Sequence, residues 1–216
     1  MATNSNHSRA TRTQRIMRNP SFSSVAALVA LLFALGGTVD SAFSQAKVSI
    51  GKFNVNTIES PQFNLQGSKK PFKPEKGWLE AEVIFQVSSS KPPKDGYLPD
   101  ALEIDIFLVV KGGDGKKKLV KHSGTYANVA VGKNQAVAVY LPPREFARLT
   151  GKPRPSKGEL VGYAVNIKYA GKSVAAEMRK MTKEQTEISP EMELLPKNKT
   201  PFRDLYYDNY LNDSSS

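Results

Sequence analysis

The stretch Trp78-Leu79-Glu80-Ala81-Glu82-Val83-Ile84-Phe85-Gln86-Val87 constrains this chain more than any other. Leu79, Ala81, Val83, Phe85 and Val87 fall on one side of an extended ribbon, and Glu80, Glu82 and Gln86 fall on the other. Side chains of a strand change face at every residue, so the pattern describes a ribbon with one face in a core and one in water. Wound as a helix, the same letters would scatter charge around the whole circumference. The phase returns in Leu102, Ile104, Ile106, Leu108 and Val110, with Glu103 and Asp105 between the first three. It returns again in Val137, Val139 and Leu141, and in Val161, Tyr163, Val165, Ile167 and Tyr169. Strands of this kind are stable only when their apolar faces pack together.

Upstream of these strands the chain reads as an export leader rather than as fold. Arg9, Arg12, Arg15 and Arg18 precede an uncharged, apolar run over residues 25–35, closed by Gly36-Gly37, and Ser44-Gln45-Ala46 offers small residues where signal peptidase reads. That order predicts a secretory signal peptide over residues 1–46, cleaved after Ala46. A membrane anchor needs about 20 apolar residues, and the run is shorter, so no span is expected after cleavage. A pilin leader keeps a glutamate near the start of its apolar helix, and no acidic residue precedes Asp40. The formal charge of the whole chain is +11, and the leader takes away four arginines and one aspartate, so most of the basicity stays with the exported part.

Along the remainder, Gly51 interrupts the alternation of Val48 and Ile50 with Phe53 and Val55, which signals a bulge. Pro142-Pro143 opens a short helix that Gly151 closes, following the usual asymmetry of proline at the start and glycine past the end. Gly112-Gly113-Asp114-Gly115-Lys116 reads as a hairpin turn: it lacks the spacing of a phosphate loop and the ligand ladder of a calcium loop. Ala170-Gly171-Lys172 makes a tight turn between two further strands. The count is seven or eight strands with one short helix, an all-β antiparallel sandwich. Residues 47–181 form that domain. Residues 182–216 form an extended C-terminal segment, rich in tyrosine, with a disordered polar end from Asn212 to Ser216.

Chemistry is sparse. There is no cysteine, and His122 is the single histidine beyond the leader. One histidine makes no typical zinc site, and no Gly-x-Ser-x-Gly nucleophile accompanies it. No catalytic, metal or cofactor residue is therefore assigned. A hydrolase would need a role for His122, which reads as an ordinary strand or turn residue. The pairs Glu80 with Glu82 and Glu103 with Asp105 read as a solvated outer face rather than as glycosidase carboxylates. Two lysine groups, Lys116, Lys117, Lys118 and Lys121, and Lys69, Lys70, Lys73 and Lys76, fit anionic glycans or an acidic partner protein. Export speaks against nucleic acid, and solubility or the blunting of sheet edges explains the same lysines. Tyr97, Tyr126 and Tyr140 are the aromatics that a carbohydrate-binding sandwich would turn toward mucin-type glycans. Phe202, Leu205, Tyr206, Tyr207, Tyr210 and Leu211 place six large side chains within ten residues, so this segment either folds back on the sandwich or docks on another chain, and the first five are its candidate partner contacts.

Ser60-Pro61-Gln62-Phe63, Trp78-Leu79-Glu80-Ala81-Glu82-Val83, and Thr200-Pro201-Phe202 leading to Tyr206-Tyr207-Asp208-Asn209-Tyr210 together carry a resemblance. The chain resembles small exported, pilus-like proteins with an immunoglobulin-like sandwich, whose genes lie beside type IV pilus genes in gut mucin-degrading bacteria. The resemblance implies an immunoglobulin-like fold without enzymatic activity, at the cell envelope, in the periplasm or on the outer surface. It implies a tie to type IV pilus formation or adhesion, with pilus or envelope proteins, or copies of itself in a homotrimer, as partners. The missing pilin leader sets it apart from a shaft subunit that polymerises through an N-terminal helix.

Overall fold

A computed structural model describes residues 46–61, 76–182, 185, 190–206, 208 and 210–215, all within the compact unit Ala42–Ser216. The leader expected over residues 1–46 lies outside the described residues except for Ala46, which opens the first strand. Lys69, Lys70 and Lys73 of the loop before Trp78 and the motif residues Gln62 and Phe63 also lie outside them, while Lys76, expected in that loop, opens the second strand. No helix among the described residues is long and apolar enough to cross a membrane.

Seven long strands carry the fold: β1 (Ala46–Glu59), β2 (Lys76–Ser89), β3 (Leu102–Lys111), β4 (Lys117–Tyr126), β5 (Asn134–Leu141), β6 (Leu160–Tyr169) and β7 (Lys172–Arg179). Two short ones, β8 (Met192–Glu193) and β9 (Leu195–Pro196), come from the C-terminal segment. One sheet has the order β1-β2-β5-β9 and the other β7-β6-β3-β4-β8. Pairing of the second strand with the fifth, and of the third with the sixth, in two facing antiparallel sheets is the immunoglobulin-like arrangement. The expected all-β, immunoglobulin-like sandwich with one helix is the fold observed.

The inward phase of β2 holds Leu79, Ala81, Val83, Phe85 and Val87, each fully buried. It packs with Val137, Val139 and Leu141 of its own sheet, and across the sandwich with Leu102, Ile104, Ile106, Leu108 and Val110. At roughly 1.5–3 kcal/mol per buried aliphatic or aromatic side chain, this interior supplies most of the drive to fold. Gly51 is bypassed by a register shift between Ile50 and Lys52, as the interrupted phase predicts. A second shift, between Val109 and Val110, corrects one assignment. It places Leu160, not Val161, on the inner face, and Val161 packs outside with Phe107 and Ala164. A one-residue bulge reverses the face of everything on its far side, so strict alternation misplaces a residue there.

Helix α1 (Pro143–Thr150) begins with proline at its first turn and ends at Gly151, whose φ of 66° is left-handed. It plugs one end of the sandwich with Phe146 and Leu149. The β3–β4 turn packs on its last turn: Gly113 N–H donates to Leu149 O at 3.2 Å, and a Cβ on Gly113 would lie 2.9 Å from Thr150 O. The glycines of this loop thus serve a turn and a close approach. Between β6 and β7, Ala170 and Gly171 have φ of 49° and 73°. Two successive positive φ angles match the right-handed twist of a two-residue hairpin.

Candidate interaction surface

The C-terminal segment closes the side of the sandwich that β4 and β5 leave open. β8 runs parallel to β4, Leu194 is buried in the core, and β9 pairs with β5 through Tyr140–Leu195 and Val139–Pro196. Thr200 Oγ1 donates to Lys197 O at 2.8 Å and accepts from Phe202 N–H at 3.2 Å, which turns the chain back over the outer face of the first sheet. There Phe202 meets Trp78 edge-on, with ring centroids 5.4 Å apart, and stacks on Tyr140 at 4.7 Å. After the turn over residues 201–206 the chain returns beside β5, where Leu211 N–H donates to Ala136 O at 2.9 Å.

Beneath this segment lies a polar layer. Tyr210 Oη donates to Glu82 Oε1 at 2.6 Å, Asn54 Nδ2 donates to Glu82 Oε2 at 2.7 Å, and Tyr140 Oη donates to Glu80 Oε1 at 3.0 Å. The buried Lys197 donates to Arg203 O at 2.7 Å and lies 5.2 Å from the Tyr210 ring centroid. Burial raises the Glu80 carboxyl above the usual range, and the neighbouring Glu82 adds to this against the Tyr140 hydrogen bond. Burial likewise lowers the Lys197 ammonium, although the charges of Asp204 and Glu80 oppose it. Glu80 and Glu82 were expected on a solvated face. They are covered, and they persist because each has a donor to replace water.

Asp105 departs from expectation in the same way. It is buried, with Lys168 Nζ at 2.8 Å and Lys121 Nζ at 3.5 Å, and it accepts from Ser123 Oγ. Burial pushes its carboxyl up, but the hydrogen bonds of Lys168 and Ser123 and the two lysine charges outweigh this and hold it below the usual range. Lys121 therefore belongs to an ion pair and not to the basic loop, where Lys116 and Lys117 remain exposed.

The end that was expected to be disordered is pinned. Asp213 is buried: Oδ1 accepts from Thr125 N–H at 3.1 Å and from both donors of Ser215, and Oδ2 lies 3.5 Å from His122 Nε2. Ser214 N–H donates to Thr125 O at 2.8 Å, and Asn198 Nδ2 donates to Asp213 O at 3.1 Å. A composition of Asn, Asp and Ser reads as disorder only while no buried histidine waits for the carboxylate. His122 itself sits on β4, with Tyr126 Oη 3.1 Å from Nε2. Its burial lowers the imidazole below the ordinary range despite the attraction of Asp213. Ser123 donates to Asp105 and Ser215 to Asp213, so neither hydroxyl is directed at the imidazole. Among the described residues no group of three or more metal-ligating side chains comes together.

The five residues singled out in this segment divide. Phe202 and Tyr210 fold back onto the sandwich, while Leu205 and Tyr206 are exposed, Tyr206 to 73%. Tyr207 lies outside the described residues. Tyr206 has a φ of 52°, a left-handed backbone that bulky side chains seldom adopt. Of the three tyrosines considered for sugars, Tyr126 and Tyr140 are core residues and Tyr97 alone is exposed, at 45%. A cleft of about 590 Å³ opens between Tyr97 and the C-terminal segment, lined by Glu82, Asn128, Lys133, Asn134, Tyr206 and Tyr210 among others. The expectation missed Asn128 and Lys133, polar loop letters that carry no periodic signal, and Asn134, the first residue of β5.

A protein-family model matches residues 40–216 of this chain. Among solved structures, the chain is similar to a crystal structure from Akkermansia muciniphila, with a TM-score of 0.68 and 32% sequence identity, covering 80% of this chain and 95% of that one. No curated protein matches the sequence.

Proposed function

This chain belongs to the family whose model spans its residues 40–216, and from that premise we propose that it is an exported, non-enzymatic protein of the cell envelope that acts through protein–protein contacts. The reading places it in type IV pilus formation or surface adhesion, with pilus or envelope proteins, or further copies of itself in a homotrimer, as partners. One observation carries it. Leu205 and Tyr206 project into solvent from a turn anchored on one side by Phe202 and on the other by Tyr210 and Asp213. An aromatic held on a rigid support loses little entropy on docking, which is why tyrosine is frequent at interface centres. The edges of β1 and β7, unpaired among the described residues, offer a second route, by strand addition. Export by a cleaved leader over residues 1–46 belongs to the same proposal.

The test is where the protein sits and what it holds. Cells are sheared, and pili, envelope and periplasm are probed with an antibody against residues 47–216. Wild-type signal in the pilus or envelope fraction, lost with a Leu205→Ala, Tyr206→Ala double variant that remains folded, supports the reading. Signal in the cytosol alone overturns export and the role together.

A further inference from the structure

The cleft beside Tyr206 has a lining that a docking role for Tyr206 does not require. Its floor is Ile84 and Ala136 of the first sheet, with Glu82 at one end. Tyr210 and Tyr206 form one wall, and Tyr97, Asn128, Lys133 and Asn134 form the opposite rim. That rim is braced. The side-chain amide of Gln135 donates to Ala130 O at 2.8 Å and accepts from Ala130 N–H at 2.9 Å. Val131 N–H also donates to Gly96 O, and Leu98 N–H to Val129 O, both at 2.8 Å. The side-chain amides of Asn128 and Asn134 make no hydrogen bond among the described residues. Asn128 on one lip and Tyr206 on the other both hold left-handed backbones, with φ of 56° and 52°. Asparagine tolerates that backbone, but a tyrosine held in it is strained, and strain on the lip of a cleft is where a binding role is to be sought.

The chemistry of the lining selects a class of ligand. A single lysine against Glu82 and Asp208 disfavours phosphate, sulfate and other anions. The side-chain amides of Asn128 and Asn134 and the exposed Asp208 disfavour a purely apolar ligand, whose binding would strand them without water. Tyrosine faces, which carry negative charge density, attract the polarised C–H bonds on one side of a sugar ring. Side-chain amides and a carboxylate present paired donors and acceptors to vicinal hydroxyls. The volume falls in the range of roughly 300–1,000 Å³ usual for small-ligand sites. We propose that this cleft is a binding site for a neutral oligosaccharide, stacked between Tyr97 and Tyr206 and hydrogen-bonded by Asn128 and Asn134. The site goes beyond the docking role: Leu205 does not line it, and docking does not need Asn128.

The purified full chain, labelled with nitrogen-15, is titrated with cellotriose, mannotriose, N,N′-diacetylchitobiose and lactose while amide resonances are followed. The expected result is saturable shifts confined to the amides of Tyr97, Asn128, Ala136 and Tyr210 with at least one of these sugars, unchanged by added salt. Tyr206→Gly suits the left-handed backbone, and Asn128→Asp keeps a residue that tolerates it. Both variants therefore fold, and each should weaken binding tenfold or more, while Leu205→Ala leaves it as in the wild type. No shift with any of the four sugars at millimolar concentration overturns the proposal. So does binding that survives Tyr206→Gly and Asn128→Asp undiminished. Loss of docking in Leu205→Ala with sugar binding intact, or the reverse in Asn128→Asp, tells the two roles apart.

Discussion

The two faces of β2 solve burial in opposite ways. Inward, Leu79, Ala81, Val83, Phe85 and Val87 meet other hydrocarbon and need nothing but shape. Outward, Trp78, Glu80 and Glu82 are covered by a segment that arrives more than a hundred residues later in the chain, and each carboxylate takes a phenol from a different element. The inner face is forgiving of chemistry and strict about volume, as close packing demands. The outer face is the reverse: its contacts are few, and each unmade hydrogen bond costs more than its formation contributed. The segment is thus held by a few directional contacts, and the interior by close packing.

The contrast is broken most severely from the inside. Phe85→Ala removes a fully buried ring and should destabilise the whole domain by about 3–5 kcal/mol, read from the denaturant midpoint, with every amide in the sandwich losing protection together. Glu82→Ala should cost less, about 1–3 kcal/mol, because it leaves the Tyr210 hydroxyl and the Asn54 amide without their acceptor. The loss should be local, with faster hydrogen exchange at the Leu211 amide while Val137 and Val139 stay protected. If Val137 exchanges as fast as Leu211 in that variant, the cover and the body are one cooperative unit and the contrast fails.

Acid sharpens the comparison. The folded state holds His122 below its ordinary value of 6.5, so the unfolded chain binds more protons there. Stability is complete above that value and falls as pH drops below it. Tyr126, Asp213, Glu193 and Lys199 surround the imidazole, and none of them cancels the effect of its burial. Asp105 and Asp213 are held below the ordinary 3.8, so their share persists above that value and is lost as pH falls further. Glu80 works the other way: it contributes below its ordinary 4.5 and loses that share as pH rises through its raised value. Thermal unfolding against pH should show a first decline beneath neutrality, and His122→Gln should flatten that step alone. The smallest change is a gain. Tyr206→Gly relieves a left-handed tyrosine and should leave the melting temperature unchanged or raise stability by up to about 1 kcal/mol, since glycine adopts that backbone freely.

What could be read from the letters follows the same division. Apolar residues at every second position located β2, β3, β5 and β6 and, Val161 apart, their inner faces, because a period of two is a local property. The cover was not legible from Glu80 and Glu82, whose charges say water to any local rule. A signal did exist on β5, where the outward phase is Ala136, Ala138 and Tyr140 with no charge among them. A central strand apolar on both faces must be roofed on both. Phe107 and Val109 gave the same sign on β3, where they cluster with Leu119 of the neighbouring strand and with Met181 from beyond β7. The pairing of His122 with Asp213 had no local sign, since the two residues are brought together only by the return of the chain across β4 and β5.

Trp78 has a use of its own. It is the one tryptophan in the chain, and it stands at the seam, with Phe202 of the cover against one side and Ala138 and Tyr140 of the sheet around the rest. Its emission is therefore an optical gauge of the seam: lifting the segment wets the indole and moves its fluorescence to the red while the far-ultraviolet dichroism of the strands is still intact. A partner that seizes the turn around Leu205 and Tyr206 can be followed in unlabelled protein by colour alone.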